Sequence, residues 1–108
     1  VNEQLLSFLS LIKRAGRLAL GFDVVKEAVH TRRAALVLCA SDLSQKTYKE
    51  VSLICARSQV PLEPLPATMD EIWFVVGKRS GVLAVLDRGM AGRLRQLLVS
   101  DEDTKPCV

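Results

Sequence analysis

Two short runs without a polar interruption, Ala35-Leu36-Val37-Leu38-Cys39-Ala40 and Val82-Leu83-Ala84-Val85-Leu86, constrain this chain more than any other feature. Five or six apolar residues are far too few for a membrane span, which needs about 20, and their lack of alternation fits strands covered on both faces. The first run is bounded by Arg33 and by Ser41-Asp42, the second by Gly81 and Asp87. Strands of this kind require helices on both sides of one sheet.

The remaining segments supply those helices. Leu5, Leu9 and Ile12 recur at helical spacing, so residues 3–14 read as an amphipathic helix that Gly16 ends. Arg17 to Leu20 is long enough only for a short strand, after which Gly21 turns the chain into a second helix from Asp23, its expected N-cap, to about Thr31. Ser44 is placed to cap a third helix reaching Ser58, and Val60-Pro61-Leu62 begins a strand that proline confines to an edge or a strand start. Thr68 and Glu71 have capping-box spacing, which predicts a fourth helix over 69–76 stopped by Gly77. Asp87-Arg88-Gly89 turns into a last helix, 90–99, that packs through Leu94, Leu97 and Leu98.

Helix and strand therefore alternate about four times, with helices at both ends. The expected fold is α/β, a single-domain three-layer α/β/α sandwich around a four-stranded mixed sheet, over residues 1–100. An acidic tail, 101–108, is expected to be disordered. The length of 108 residues, 49% of them hydrophobic and 25% charged, suits one globular core. Net charge is +3, but residues 1–100 carry +5 and the tail −2. A basic body favours partners that present phosphate.

Several function classes are excluded. Cys39, Cys55 and Cys107 have neither zinc-ligand spacing nor a second histidine beside His30, so no metal site and no cofactor is expected. Reduced core thiols imply a cytoplasmic protein, and no segment has the order of a signal peptide or the length of a membrane span. Gly77-Lys78-Arg79-Ser80 resembles part of a phosphate-binding loop, yet Ile72 holds the place of its first glycine and Arg79 separates lysine from hydroxyl. Ser41, Asp42 and Ser44 have no histidine in their segment, and no general acid/base pair stands out, so no enzyme is expected. Asp42 reads as a turn or cap residue.

What remains to weigh is a binding surface. Lys26, Arg32, Arg33, Lys46, Lys78 and Arg79 all fall near helix termini or loops; by charge alone they read first as ordinary solvated charges, and as the alternative they form a surface for one external partner, which would suit structured RNA. Gly21 followed by a helix start offers unpaired N–H groups to anionic oxygen.

The segments Arg14-Ala15-Gly16-Arg17-Leu18 with Gly21, Leu36-Val37-Leu38-Cys39-Ala40-Ser41-Asp42-Leu43-Ser44 with Thr47, Cys55 with Val60-Pro61, Gly77-Lys78, and Asp87-Arg88-Gly89-Met90-Ala91 resemble the bacterial YlxQ-type branch of the ribosomal protein L-seven-Ae superfamily. The resemblance is collinear over about residues 5–98. It implies an α/β/α sandwich, no catalysis, and binding to RNA kink-turns or to ribosomal or ribosome-associated RNA. The family's reading element, Gly-Thr-Asn-Glu-x-x-Lys at the start of the second helix, falls on Gly21 to Glu27. Gly21 matches, whereas Phe22, Asp23, Val24 and Glu27 replace Thr, Asn, Glu and Lys. Asp23 lacks the amide's donors, Val24 cannot pair with a base edge, and Glu27 repels phosphate. At about 1–3 kcal/mol for each lost contact, binding weakens roughly a hundredfold or more.

The second element implied by the resemblance is the glycine-bounded basic loop Gly77-Lys78-Arg79-Ser80-Gly81. Before it, Ile72-Trp73-Phe74-Val75 stands where the family commonly has Leu-Gly-x-Ala. Phe74 or Ile72 is expected in the core, while Trp73 is a candidate contact for a protein partner. The RNA-binding residues assigned at this level are Gly21, Asp23, Lys26, Arg33, Lys78 and Arg79. An alternative is a protein-interaction module that keeps the fold and has lost the RNA site.

Overall fold

The structure, a computed structural model, describes residues 3–103, with side chains as far as Leu98. Five helices alternate with four strands: α1 (Glu3–Arg14), β1 (Leu18–Leu20), α2 (Phe22–His30), β2 (Leu36–Cys39), α3 (Gln45–Ser58), β3 (Leu62–Pro64), α4 (Met69–Val76), β4 (Val82–Val85) and α5 (Arg88–Asp103). The two apolar runs form the inner strands, in the sheet order β1-β4-β2-β3. β4 is antiparallel to both neighbours, and β2 and β3 are parallel. The Pro61 segment does lead into an edge strand, where Pro64 costs no ladder hydrogen bond on its open side.

Pleating explains why these runs lack polar residues. Leu36 and Leu38 of β2, with Leu83 and Val85 of β4, enter a core layer with Leu5, Leu9 and Ile12 of α1, Ile72 and Val76 of α4, and Leu94 of α5. The alternate residues Val37, Cys39, Val82 and Ala84 enter the opposite layer with Val25, Ala28 and Val29 of α2 and Val51 and Cys55 of α3. Both faces of each inner strand are buried, and this produces the three-layer α/β/α sandwich with its mixed sheet.

Helix ends largely follow local chemistry. Ser44 caps α3 by accepting from the Thr47 N–H at 3.3 Å. The Thr68–Glu71 capping box forms in full: Thr68 Oγ1 accepts from the Glu71 N–H at 3.2 Å, and Glu71 Oε1 accepts from the Thr68 N–H at 2.8 Å. Gly77, at φ 78°, closes α4 as expected. Two expectations change. The N-cap of α2 is Gly21, and Asp23 lies inside the first turn with no capping hydrogen bond, where its charge still favours the positive helix end. α5 begins at Arg88 and runs to Asp103, so helix extends into the expected tail; residues 104–108, including Cys107, lie outside the described residues.

The reversal of β4 decides which loops become neighbours. In an all-parallel sheet the segments preceding β2 and β4 would share one end. Here β4 runs the other way, so the loop before it meets the segments that follow β1 and β2: Gly21 N–H donates to Val82 O at 3.0 Å, and Ala40 N–H donates to Gly81 O at 2.9 Å. At the other end, Ala35 N–H donates to Val85 O and Leu86 N–H to Arg17 O, both at 2.8 Å. The sandwich thus has two poles with separate sets of loops.

Candidate nucleic-acid interface

The first pole gathers Gly21 to Val24, Ser41 to Ser44 and Gly77 to Gly81. Gly21 adopts φ 104° and ψ 148°, a conformation open essentially to glycine alone, and nothing lies within 4 Å of where a Cβ would stand. The glycine is therefore needed for backbone direction, and it also leaves the helix start uncovered. The first bond of α2 is made by the Val25 N–H to Gly21 O, so the N–H groups of the preceding helical positions face outward without helical partners.

The other two loops are fastened to each other. Asp42 Oδ1 accepts from the Met69 N–H at 2.9 Å, joining the segment after β2 to the start of α4. A Cβ on Gly81 would stand 2.6 Å from Leu43 Cδ1 and 3.1 Å from Met69 Sδ, so these segments approach closely at that glycine. Ser80 turns inward and donates from Oγ to Val82 O at 2.8 Å. Lys78 and Arg79 are left on the outside of a loop whose two ends are fixed. Asp42 is a cap, as its residue type suggests, but its helix begins 27 residues further on, a pairing with no local sequence signal.

This pole is electrostatically mixed. Lys26, Lys46 and Lys78 are exposed, but so are Asp23, Glu27, Asp42 and Asp70. Arg79 is engaged: its Nε donates to Asp70 Oδ1 at 3.0 Å, an exposed pair of the kind that contributes about 0–1 kcal/mol and yields to a better partner. Val24 is 52% exposed at the position where the family pattern has a base-reading carboxylate.

Arg33 is not at this pole. It follows α2, whose terminal residues lead into β2 at the opposite end of the sheet, and Arg32 lies there with it. The expectation that Arg32 and Arg33 share one partner-facing surface with Lys26, Lys46, Lys78 and Arg79 is thus corrected: α2 separates its two ends by its own length. Gly21 and Asp23 lie at the same pole as the loop that carries Lys78 and Arg79, with Lys26 farther along α2. On α4, Ile72 is fully buried as expected, whereas Phe74 is 90% exposed and Trp73 56%. Ile72 and Val76 already occupy the inward face of α4, so Phe74 points away from the core.

Cys39 and Cys55 are buried free thiols. Burial, with Cys55 nearby, pushes the Cys39 thiol up to about 11, and burial also raises Cys55. Both stay protonated and unreactive near neutrality. Among the described residues there is no cluster of three or more His, Cys, Asp or Glu side chains able to hold a metal ion. Among the same residues, no helix is long and apolar enough to cross a membrane.

The chain is a single α/β/α domain in which a glycine-initiated helix and a glycine-bounded basic loop lie at one pole of the sandwich. The chain belongs to the ribosomal protein L7Ae/L30e/S12e/Gadd45 family, whose model matches residues 3–91. It is 34% identical over 95 residues to the RNA-binding protein YlxQ of Bacillus subtilis (strain 168), covering 83% of this chain and 90% of that one. It is 27% identical over 97 residues to the RNA-binding protein YlxQ of Enterococcus faecium, covering 90% and 93%. Among solved structures, a protein of unknown function from Bacillus halodurans superposes with a TM-score of 0.84 at 28% identity, over 91% of this chain and 99% of that chain. A Giardia lamblia 15.5kD RNA binding protein superposes at 0.72 and 17% identity, over 94% and 89%, and shares the fold.

Proposed function

We propose that this chain is a cytoplasmic RNA-binding protein that associates with the ribosome or its RNA and recognises a kink-turn or related structured RNA through the start of α2 and the loop after α4. The observation that carries this reading is its similarity, over most of both chains, to two proteins named as RNA-binding. The chain acts by binding and not by catalysis. In this reading Gly21 opens the helix start to a phosphate or base edge, Lys26 and Lys78 neutralise phosphate, and Arg79 exchanges Asp70 for phosphate. Asp23 accepts from a guanine edge, which offers donors that an amide-reading partner would not require.

Titration of the protein against a kink-turn RNA and an unstructured RNA of equal length, each at two salt concentrations, tests this. Preference for the kink-turn at both salts is the expected result. No binding to either RNA at low salt removes the proposal, and equal binding with a steep salt slope leaves only a phosphate-directed role. The exposed Trp73 and Phe74 favour one second reading, a protein partner docked on α4. Co-purification of a partner that survives nuclease and is lost in Trp73→Ala would support it.

A further inference from the structure

The pole opposite the proposed RNA site holds an open groove of about 810 Å³, within the roughly 300–1,000 Å³ range of ligand sites. Arg17, Arg32, Arg33, Arg88 and Arg95 line it, five of the chain's 15 Lys and Arg residues, and among the described residues no lysine or carboxylate joins them. Three acids lie nearby. Glu63 Oε2 accepts from Arg95 at 3.2 Å, Asp87 Oδ1 caps α5 by accepting from the Met90 N–H at 2.9 Å, and Glu27 lines a smaller adjoining cavity with Arg33. Among the described residues, Arg17, Arg32, Arg33 and Arg88 have no ion-pair partner.

The fold brings this charge together through three helix ends of the same construction. α1, α2 and α3 each finish with a left-handed residue, Gly16 at φ 72°, Arg32 at φ 61° and Gln59 at φ 58°. In each case the next N–H returns to the helix: Arg17 to Ile12 O, Arg33 to Ala28 O and Val60 to Cys55 O. Those carbonyls are therefore engaged and do not need the guanidinium groups. Arg32 and Gln59 are the non-glycine residues with positive φ among those described, both line this groove, and each holds a conformation that costs about 1 kcal/mol or more relative to glycine.

Five guanidinium groups with a single ion pair among them, Arg95 to Glu63, leave the groove strongly positive, and a planar guanidinium matches phosphate oxygens in pairs. Among the described residues no aromatic side chain lines the groove, so it has no aromatic platform for stacking a base. We propose that this groove binds the phosphodiester backbone of a second RNA segment without regard to sequence, so that the protein grips RNA at both poles. The proposal rests on RNA as the partner, but not on kink-turn recognition at the Gly21 pole.

The test uses the full chain with a labelled 12-nucleotide oligouridylate. Arg17→Gln/Arg33→Gln/Arg88→Gln is expected to weaken binding at least about tenfold at low salt, and to reduce the slope of log affinity against log salt by about 2, at roughly 0.7 per phosphate contact. Lys49→Gln/Arg57→Gln/Arg93→Gln removes as much charge outside the groove and is expected to change affinity less than about twofold. Equal losses in the two triple variants, or none in the first with its thermal melt unchanged, overturn the proposal. Should the first variant melt early, Arg33→Glu alone, at an exposed loop position, gives the same readout. Polyglutamate binding as tightly as the RNA also overturns it. A protein that binds oligouridylate through the arginines but shows no preference for a kink-turn keeps this groove and loses the Gly21-pole reading.

Discussion

The two poles of the sandwich differ in how they carry charge. At the Gly21 pole, lysines are interspersed with Asp23, Asp42 and Asp70, one arginine is paired with an aspartate, and the loops are fastened by backbone and side-chain hydrogen bonds. At the opposite pole, four arginines without ion-pair partners among the described residues and one paired with Glu63 line a single groove. The first arrangement can discriminate, because fixed donors and acceptors of both signs reject a wrong edge as well as accept a right one; the second can only attract phosphate. A family resemblance therefore marks one pole while the greater concentration of arginine lies at the other.

The largest expected effect comes from restoring the family pattern at the first pole. Asp23→Asn/Val24→Glu/Glu27→Lys should raise affinity for a kink-turn RNA roughly a hundredfold at fixed salt, from two or three contacts worth about 1–3 kcal/mol each. Unchanged affinity in that titration would show that the Gly21 pole does not read RNA.

Between the poles, the shared core supplies a pH dependence. The folded Cys39 thiol titrates near 11 against 9.0 for an exposed one, so between those values the unfolded chain releases its proton first. Stability contributed by the protonated thiol is complete below about pH 9 and should fall by on the order of 2–3 kcal/mol as pH rises to 11, at about 1.4 kcal/mol per pH unit. Denaturant unfolding at a series of pH values should show this decline, with less of it in Cys39→Ala.

Backbone substitutions should have opposite signs at the two poles. Gly21→Ala forces a side chain into φ 104° and should cost about 1–3 kcal/mol. Arg32→Gly relieves a left-handed arginine and should add about 0.5–1 kcal/mol while weakening oligouridylate binding. Thermal melts of both variants check the pair, and destabilisation by Arg32→Gly would mean that its side chain holds the groove together. The smallest effect is expected from Asp70→Asn, which frees Arg79: stability should change by less than about 1 kcal/mol, and RNA should bind somewhat more tightly at low salt because Arg79 no longer has to leave an aspartate.

Much of the fold was legible where the chemistry is local. The apolar runs became the two inner strands, Ser44 and the Thr68–Glu71 pair became caps, and Gly16 and Gly77 ended helices. Asp23 misled as an N-cap because Gly21 can occupy that position with no side-chain oxygen at all, provided its backbone takes a conformation that other residues avoid. Of Phe74 and Ile72, the alternatives for the core, Ile72 takes it together with Val76, and Phe74 falls on the exposed side of α4. The Asp42–Met69 and Arg79–Asp70 contacts leave no sequence signal that would single them out.

The sequence by itself determined that there would be a sheet buried on both faces, helices punctuated at particular residues, and a family. Hydrophobic periodicity and capping act within a few residues and need no knowledge of the rest of the chain. Which basic residues act together was decided only by tertiary structure. Strand order and direction are global properties: reversing β4 carries Lys78 to Gly21 and leaves Arg33 with Arg17, Arg88 and Arg95 at the far end of the same sheet.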